Sequence, residues 1–530
     1  MVSGLKAGEI ILVDSDKLSK LFESELFKEA LCSHMPHFLP SKRWYGAKDD
    51  VINSVMIENV FSLNDEEDTF FLIVRVSLQE AEKQFYSIPV RLAWENGAKK
   101  IFEAQPQSVI ATVCYGTKLG IVYDAVGSKD FATAILSLMR KDSETDVGDG
   151  AFLAASATKA GKELIKSVEG ASQKLLGVEQ SNSSIVVGKK IILKMYRRVA
   201  VGNHPEIATT SFLTEEAGFK NTPAYLGDIE LKLKAGRPMA LGILQAFVPN
   251  QGDGWNYTMD YLKKFFADAL DKKAGGDYHA DYLKMVETLG KRTAEMHKAF
   301  AKGKDAVFAP VPVEAGDLES WTEQVLAQAE KTYGVMKNGL GNLSGEIKEN
   351  TENLLAHWSV LTDRIKALVP ENVKAMKTRF HGDYHLGQVV VADKDFYILD
   401  FEGEPLRPLM ERQIKHTVLK DVAGMVRSFD YAAFGAVLMF VVPEHRAIIT
   451  PLVSDWQERA TSAFLKGYFD NMQGCPSLPD NKQTTQDILD LFVLEKALYE
   501  VIYEVANRPD WVAIPLNGML RLIDLNGERK

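Results

Sequence analysis

The sequence predicts an α+β chain, β-rich first and mostly helical afterwards, on three observations. Runs such as TFFLIVRVSL (69–78), QFYSIPVRLAW (84–94) and SSIVVGKKIILKMY (183–196) are dense in β-branched and aromatic residues, which suit a pleated, half-buried surface. From Trp255 onward apolar residues recur at helical spacing, as in DYLKMVETLGKRTAEMHKAFA (281–301) and GEIKENTENLLAHWSVLTDRIKAL (345–368). Within that helical region a single short run, 389–399, has strand character.

The elements follow in order. DKLSKLFESELFKEAL (16–31) reads as a helix and, with the first two strand runs, makes a small α+β unit over 1–110. SETDVGDG (143–150) is acidic and Gly-rich and reads as a loop or seam. Strand runs then continue through PAYLGDIELKL (223–233) and MALGILQAFV (239–248), giving an intermediate region over 111–248 and a helical region over 249–530. A chain of 530 residues has room for two to four domains and a large core.

Composition narrows the function classes. Apolar residues at 46% and charged residues at 25% are ordinary for a folded globular chain. The net charge of −10 is spread along the sequence, which disfavours non-specific binding to nucleic acid or to an anionic membrane surface. Cys32, Cys114 and Cys475 lie far apart without a CxxC spacing, which fits a reducing compartment and argues against structural zinc. The N-terminal stretch lacks the basic end and apolar run of a secretory signal, and the run near Phe434–Val442 is far shorter than a bilayer span. A cytoplasmic protein is expected.

The chemistry concentrates in HGDYHLGQVVVADKDFYILDFEGEP (381–405). Val389–Val391 and Phe396–Leu399 flank the polar turn Ala392-Asp393-Lys394-Asp395, so the segment reads as a β-hairpin. With the turn centred on Lys394, Gln388 falls opposite Asp400, and Asp383 lies five residues before Gln388. One amide and one carboxylate oxygen suit Mg²⁺ carrying substrate phosphates, because magnesium keeps several waters and needs few protein ligands. An aspartate that is not a ligand is then free to take a hydroxyl proton. Base aspartate, amide ligand, hairpin and second aspartate, in that order, form the phosphoryl-transfer arrangement of protein-kinase-like enzymes. His-Gly-Asp stands where those carry His-Arg-Asp, and Asp-Phe-Glu where they carry Asp-Phe-Gly. His381 and His385 read as residues that hold the loop rather than as metal ligands; His385 is also counted among acceptor-binding candidates.

Transfer from ATP needs donors for its phosphates and a cation beside them. No Walker A sequence is present. The polar stretch Glu179-Gln180-Ser181-Asn182-Ser183-Ser184 instead leads into a second hairpin about Gly188-Lys189-Lys190, and pairing symmetric about Lys189 sets Lys194 opposite Ser184. A lysine ending an apolar strand needs an anionic partner, so Ser181, Asn182, Ser183, Ser184 and Lys194 are the phosphate-binding candidates. Gln245 and Phe247 sit where β-rich sequence gives way to helix, the place of a hinge that offers backbone groups to adenine. For the acceptor, Lys496, Tyr499, Glu500, Tyr503 and Asn507 share one face of a helix over 492–507. Their aromatic faces and polar tips fit a pyranose. A second stripe, Gln413, His416, Lys420, Gly424 and Arg427, lies on a helix expected around 411–428.

These motifs closely resemble the bacterial maltokinases, including those fused to trehalose synthase. The resemblance is carried by HGDYHLGQVV…ILDFEGEP, RPLMERQIKHTVLKDVAGMVRSFDYAA, EKALYEVIYEVANRPDWVAIPL, EQSNSSIVV…LKMYRR, LQAFVPNQGDGW and SKRWYGAKD, and it spans most of the chain. It implies a bilobal, aminoglycoside-phosphotransferase-like kinase with an N-terminal cap, transferring the γ-phosphate of ATP to the anomeric hydroxyl of maltose for α-glucan synthesis. By the same resemblance Asp383 is the general base, Gln388 and Asp400 hold Mg²⁺ with Glu402 nearby, Lys194 contacts phosphates, and the 496–503 stripe with Arg427 binds sugar. It also implies a possible trehalose synthase partner. One position departs: Ala208 stands where the family pattern has a glutamate to orient the strand lysine, so Glu206 or another acid takes that role or nucleotide positioning differs. Glucosamine kinase is the rival within the fold, and a pseudokinase that binds without turnover is the rival of a different class.

Overall fold

The structure is a computed structural model that describes residues 10–522 except 65–67, 149, 178–180, 235, 344 and 405–406. Its chain forms two compact units, one made of the residues up to Ser211 with Pro223–Val248, the other of Phe212–Thr222 with Pro249 onward.

The first unit contains two sheets. In one, strands Ile10–Leu12, Val109–Tyr115, Lys118–Asp124, Gln84–Trp94, Thr69–Leu78 and Ile52–Ser62 lie side by side in that order, and Arg198–Val199 pairs with the start of Gln84–Trp94. The sheet therefore runs on past residue 110. The run 16–31 is not one helix: it breaks into Leu18–Phe22 and Glu25–Phe38, because the Ser24 side chain caps the second helix by accepting from the Phe27 N–H. Leu31 and Met35 of that helix pack on Leu72, Val74, Ile88 and Val113 of the sheet.

The second sheet is antiparallel throughout, in the order Ser143–Gly148, Ala151–Ala157, Tyr225–Lys232, Met239–Ala246, Ile191–Tyr196, Asn182–Val187 and Gln173–Leu175. Residues 143–148, expected as a loop, are an edge strand. Pairing on one side with Ala151–Ala157 suffices for an edge, and its polar side chains face water there. Helices Lys129–Lys141 and Lys159–Ser167 cover one face through Phe131, Ile135, Met139 and Ile165, against Ile185, Leu193, Ile229 and Leu244.

The second unit is mostly helical. Helices Ala280–Phe300 and Pro443–Met472 cross at two glycines: a Cβ on Gly290 would lie 2.1 Å from the Phe464 carbonyl oxygen, and one on Gly467 would lie 2.1 Å from that of Glu287. The run 345–368 divides into Gly345–Ala356 and Trp358–Ala367. The hairpin Val389–Ala392 and Asp395–Ile398 is anchored by Arg292, whose Nε and Nη2 donate to Asp395 at 2.8 and 2.7 Å. Helix Leu419–Phe440 is long and apolar enough by composition to cross a membrane, yet 67% of that window is buried inside the protein. It begins eight residues later than the stripe at 411–428 required; Glu411–Gln413 is a single 3₁₀ turn. Cys475 is buried and Cys32 and Cys114 are half-buried, all as free thiols.

Candidate active site

Asp393 and Lys394 both adopt left-handed backbone, φ 50° and 63°, so the hairpin closes with a two-residue turn. Ala392 then pairs with Asp395 and Val389 with Ile398, and the Leu399 N–H donates to the Gln388 carbonyl at 2.9 Å. Gln388 therefore faces Leu399, one residue away from the expected partner Asp400, because the turn centre falls between 393 and 394 rather than on Lys394. The side chains meet nonetheless. Asp400 leaves the strand at φ 62°, a conformation that Asp tolerates better than most residues, and its Oδ2 accepts from Gln388 Nε2 at 3.0 Å. One amide and one carboxylate thus meet at the open end of the hairpin, the amide through its nitrogen; amide and carboxylate oxygens are the hard-donor chemistry that Mg²⁺ takes. Glu402, two residues on, is buried.

The loop that carries Asp383 is held by a residue that sequence reasoning missed. Asp421, buried near the start of helix Leu419–Phe440, accepts the His381 N–H at 2.7 Å and the Gly382 N–H at 3.0 Å. His297 lies 3.0 Å from the same carboxylate through Nε2, and its Nδ1 is 2.8 Å from the Tyr468 hydroxyl. His381 accepts the Asp383 N–H at Nδ1 and donates from Nε2 to the Leu399 carbonyl at 2.7 Å, tying the loop to the hairpin. Gly382 takes φ 87°, where a side chain would be strained.

Asp383 faces a cavity of about 530 Å³ inside the second unit, within the ~300–1,000 Å³ range of small-molecule sites. Its ionisable lining balances: Asp383, Glu404, Glu411, Asp421 and Glu495 against Lys331, Arg407, Arg412, Lys420 and Lys496. Phe380, Tyr384, Phe492 and Tyr499 supply aromatic surface. Burial lowers the Lys496 pKa, but Asp383, Glu500 and Glu404 outweigh it and hold the ammonium above its usual value. It stays charged at neutral pH. Its Nζ lies 5.5 Å from the Tyr499 ring. His416 is pushed well below its ordinary pKa by burial and then by Lys420, and its neutral Nδ1 accepts the Thr417 N–H at 2.8 Å.

Of the acceptor candidates, Lys420, Lys496 and Tyr499 line this cavity with Asp383. Lys420 also pairs with Glu495 at 2.9 Å. His385 lies beside Asp383, Nε2 to Oδ2 3.9 Å, and its Nδ1 accepts the Gly387 N–H at 3.0 Å. Arg427 and Glu500 do not reach the cavity. Arg427 is 1% exposed, donates to Glu500 Oε2 from Nε at 2.9 Å and from Nη2 at 2.7 Å, and also holds Asp430. Their stripe is real, but its Glu500 flank turns into the protein. Tyr503, on the other flank, is 46% exposed and faces the Arg508 guanidinium. Replacing Arg427 with Met is expected to cost about 3–5 kcal/mol of stability by leaving buried carboxylates unpaired, with little change in KM for the acceptor. Denaturant unfolding and steady-state kinetics check both halves.

In the first unit the second hairpin has the register that symmetry about Lys189 predicts: Ser184 pairs with Lys194 and Asn182 with Tyr196. Lys194, 8% exposed, lies 3.0 Å from Glu206 Oε2, and Glu206 also accepts the Tyr196 hydroxyl proton at 2.9 Å. Glu206 is thus the acid that holds the strand lysine, the role left open by Ala208. Strand alternation sorts the polar candidates. Ser184 and Asn182 share the face of Lys194, whereas Ser183 pairs with Met195 on the opposite, apolar face. Ser181 is exposed and Glu179 and Gln180 lie outside the described residues. Gln245 is buried opposite Ile192 and its Nε2 is 3.5 Å from Thr210 Oγ1. The Phe247 N–H is committed to the Lys190 carbonyl at 2.9 Å.

Residues 38–127 match the maltokinase N-terminal cap domain. That part of the chain therefore carries this cap domain. Similar relatives are a glucosamine kinase of Streptacidiphilus jiangxiensis, 26% identical over 362 residues, covering 66% of this chain and 73% of the relative, and one of Mycolicibacterium smegmatis, 25% identical over 348 residues, covering 66% and 78%. A solved glucosamine kinase in complex with glucosamine, ADP and inorganic phosphate superposes with a TM-score of 0.60 at 18% identity, covering 92% of this chain and 98% of that one. A second crystal form of glucosamine kinase gives 0.61 at 19% identity. This chain shares that fold.

Proposed function

We propose that this chain transfers the γ-phosphoryl group of ATP to the anomeric hydroxyl of maltose, giving ADP and maltose 1-phosphate as a precursor for α-glucan synthesis. The observation that carries the reading is Asp383, opening onto a charge-balanced, aromatic-lined cavity with Lys496 and Tyr499, on a loop tied through His381 to the hairpin that ends in Gln388 and Asp400. Asp383 accepts the sugar hydroxyl proton as the oxygen attacks the γ-phosphorus and the bond to the β,γ-bridging oxygen breaks. Lys194, oriented by Glu206, binds phosphate oxygens. Gln388 and Asp400, with Glu402 beside them, would hold Mg²⁺, which when bound neutralises charge on the transferring phosphates. Balanced charge and aromatic faces suit a neutral ligand with many hydroxyls better than a cationic one. The maltokinase cap supports the same acceptor, and a trehalose synthase is the partner consistent with it.

A second reading, glucosamine as acceptor, is favoured by the relatives' names. Turnover of ATP and Mg²⁺ with maltose, glucosamine, glucose and trehalose, with the phosphorylated position read by phosphorus NMR, separates them. Maltose is expected to give the highest kcat/KM and an anomeric phosphate. A glucosamine preference, or a phosphate elsewhere on the ring, overturns the proposal.

A further inference from the structure

The strand that carries Lys194 does not end freely. Ile191–Tyr196 leaves the second sheet, and two residues later Arg198 and Val199 pair with Tyr86 and Phe85 of the first sheet, which lies largely in the maltokinase cap. At the crossing, Ser87 donates its hydroxyl to the Tyr196 carbonyl and its N–H to the Arg197 carbonyl, the latter at 2.9 Å. Arg197 is 1% exposed, donates from Nη2 to Asp124, and lies 4.6 Å over the Trp44 ring. Among the described residues its Nε and Nη1, both buried, have no hydrogen-bond partner. Asp124, itself 7% exposed, is therefore the carboxylate that offsets this guanidinium. It also accepts the Val126 N–H at 3.1 Å, which fixes it within its own turn.

On its other side Tyr196 reaches the nucleotide machinery. Its hydroxyl donates to Glu206, the carboxylate that holds Lys194, and the His204 ring stacks on it at 3.8 Å. One residue is gripped at its carbonyl by the cap and bonded at its hydroxyl to the partner of the phosphate-binding lysine. We propose that Asp124, Arg197 and Ser87 are positioning residues for Lys194: the cap fixes where the lysine strand ends and so where Lys194 and Glu206 stand. The proposal rests on the reading of Lys194 as a phosphate-binding residue. Bound geometry is costly to disturb, since a misplacement of about 1 Å costs on the order of a hundredfold in rate.

The test compares Asp124→Asn, Asp124→Glu, Ser87→Ala and Lys194→Ala in the full chain, varying ATP and the acceptor sugar separately and recording the melting temperature of each. Asp124→Asn is expected to lower kcat/KM for ATP on the order of tenfold, with KM for the sugar within about twofold. Asp124→Glu returns most of that loss. Ser87→Ala removes one hydroxyl only, stays folded at assay temperature, and moves kcat/KM for ATP about threefold in the same direction. It carries the test if Asp124→Asn does not fold. Folded variants with wild-type ATP kinetics overturn the proposal, as do losses shared equally by both substrates in step with the folded fraction. Lys194→Ala tells the two failures apart. If it is inactive while Asp124→Asn and Ser87→Ala are normal, the positioning role alone is wrong; if it keeps wild-type kcat/KM for ATP, the phosphate-binding reading is wrong and the positioning role falls with it.

Discussion

Asp383→Asn is expected to lower kcat by about 10²- to 10⁴-fold, the usual range for removing a general base, while nucleotide affinity changes by less than about twofold. Asparagine keeps the size and backbone habits of aspartate but cannot accept the hydroxyl proton. Asp383 belongs to the second unit, and it is bonded through its backbone N–H, which the substitution leaves in place. Its carboxylate is also the foremost acid holding the Lys496 ammonium charged, so a modest rise in sugar KM should accompany the fall in kcat. Stopped-assay kinetics and calorimetric titration with ADP give the two numbers. Activity within about tenfold of wild type would remove Asp383 from the role of base.

Asp421→Asn is expected to damage both stability and rate. Its carboxylate answers three groups at once, the His381 and Gly382 N–H donors and His297 Nε2; His381 and His297 are buried and Gly382 is half-buried. A carboxamide presents one acceptor oxygen and an NH₂ that must point at a donor, so at least one of these three donors loses its acceptor, at a cost of about 1–3 kcal/mol where that donor is buried. The loop that aims Asp383 then loses its tether, and a further loss in kcat of the folded fraction follows from misplacement of the base. Urea unfolding and kcat corrected for folded fraction are the measurements. Unfolding free energy within about 0.5 kcal/mol of wild type together with unchanged kcat would show that the loop holds itself.

What was legible in the sequence was what local chemistry determines. The hairpin around Gly188 to Lys190 could be registered to the residue because two flanking apolar runs of equal length leave one symmetric pairing, and Lys194 opposite Ser184 follows. The hairpin at 389–398 was placed correctly but misregistered by one, because nothing in Asp393-Lys394 advertises two consecutive left-handed residues the way Asn-Gly would. The acceptor helix was read as a stripe, and periodicity says which residues share a face without saying what that face meets; Arg427 and Glu500 met each other. Asp421 was illegible for a different reason. It acts on backbone N–H groups forty residues upstream, and a donor common to every residue leaves no mark in the sequence. The acid that replaces the glutamate expected at 208 was named as an alternative, and only the turn of helix Pro205–Ser211 selects Glu206.

The left-handed backbone at Asp400 has a bearing on how this position can drift. Two filters act on it together: the side chain must bring a carboxylate oxygen to Gln388, and the main chain must accept φ 62°. Asparagine and glycine enter that conformation cheaply but carry no negative charge, whereas glutamate carries the charge and resists the conformation. Single substitutions therefore lead nowhere neutral from here, and exchange of this residue requires the strand end around it to be rebuilt at the same time.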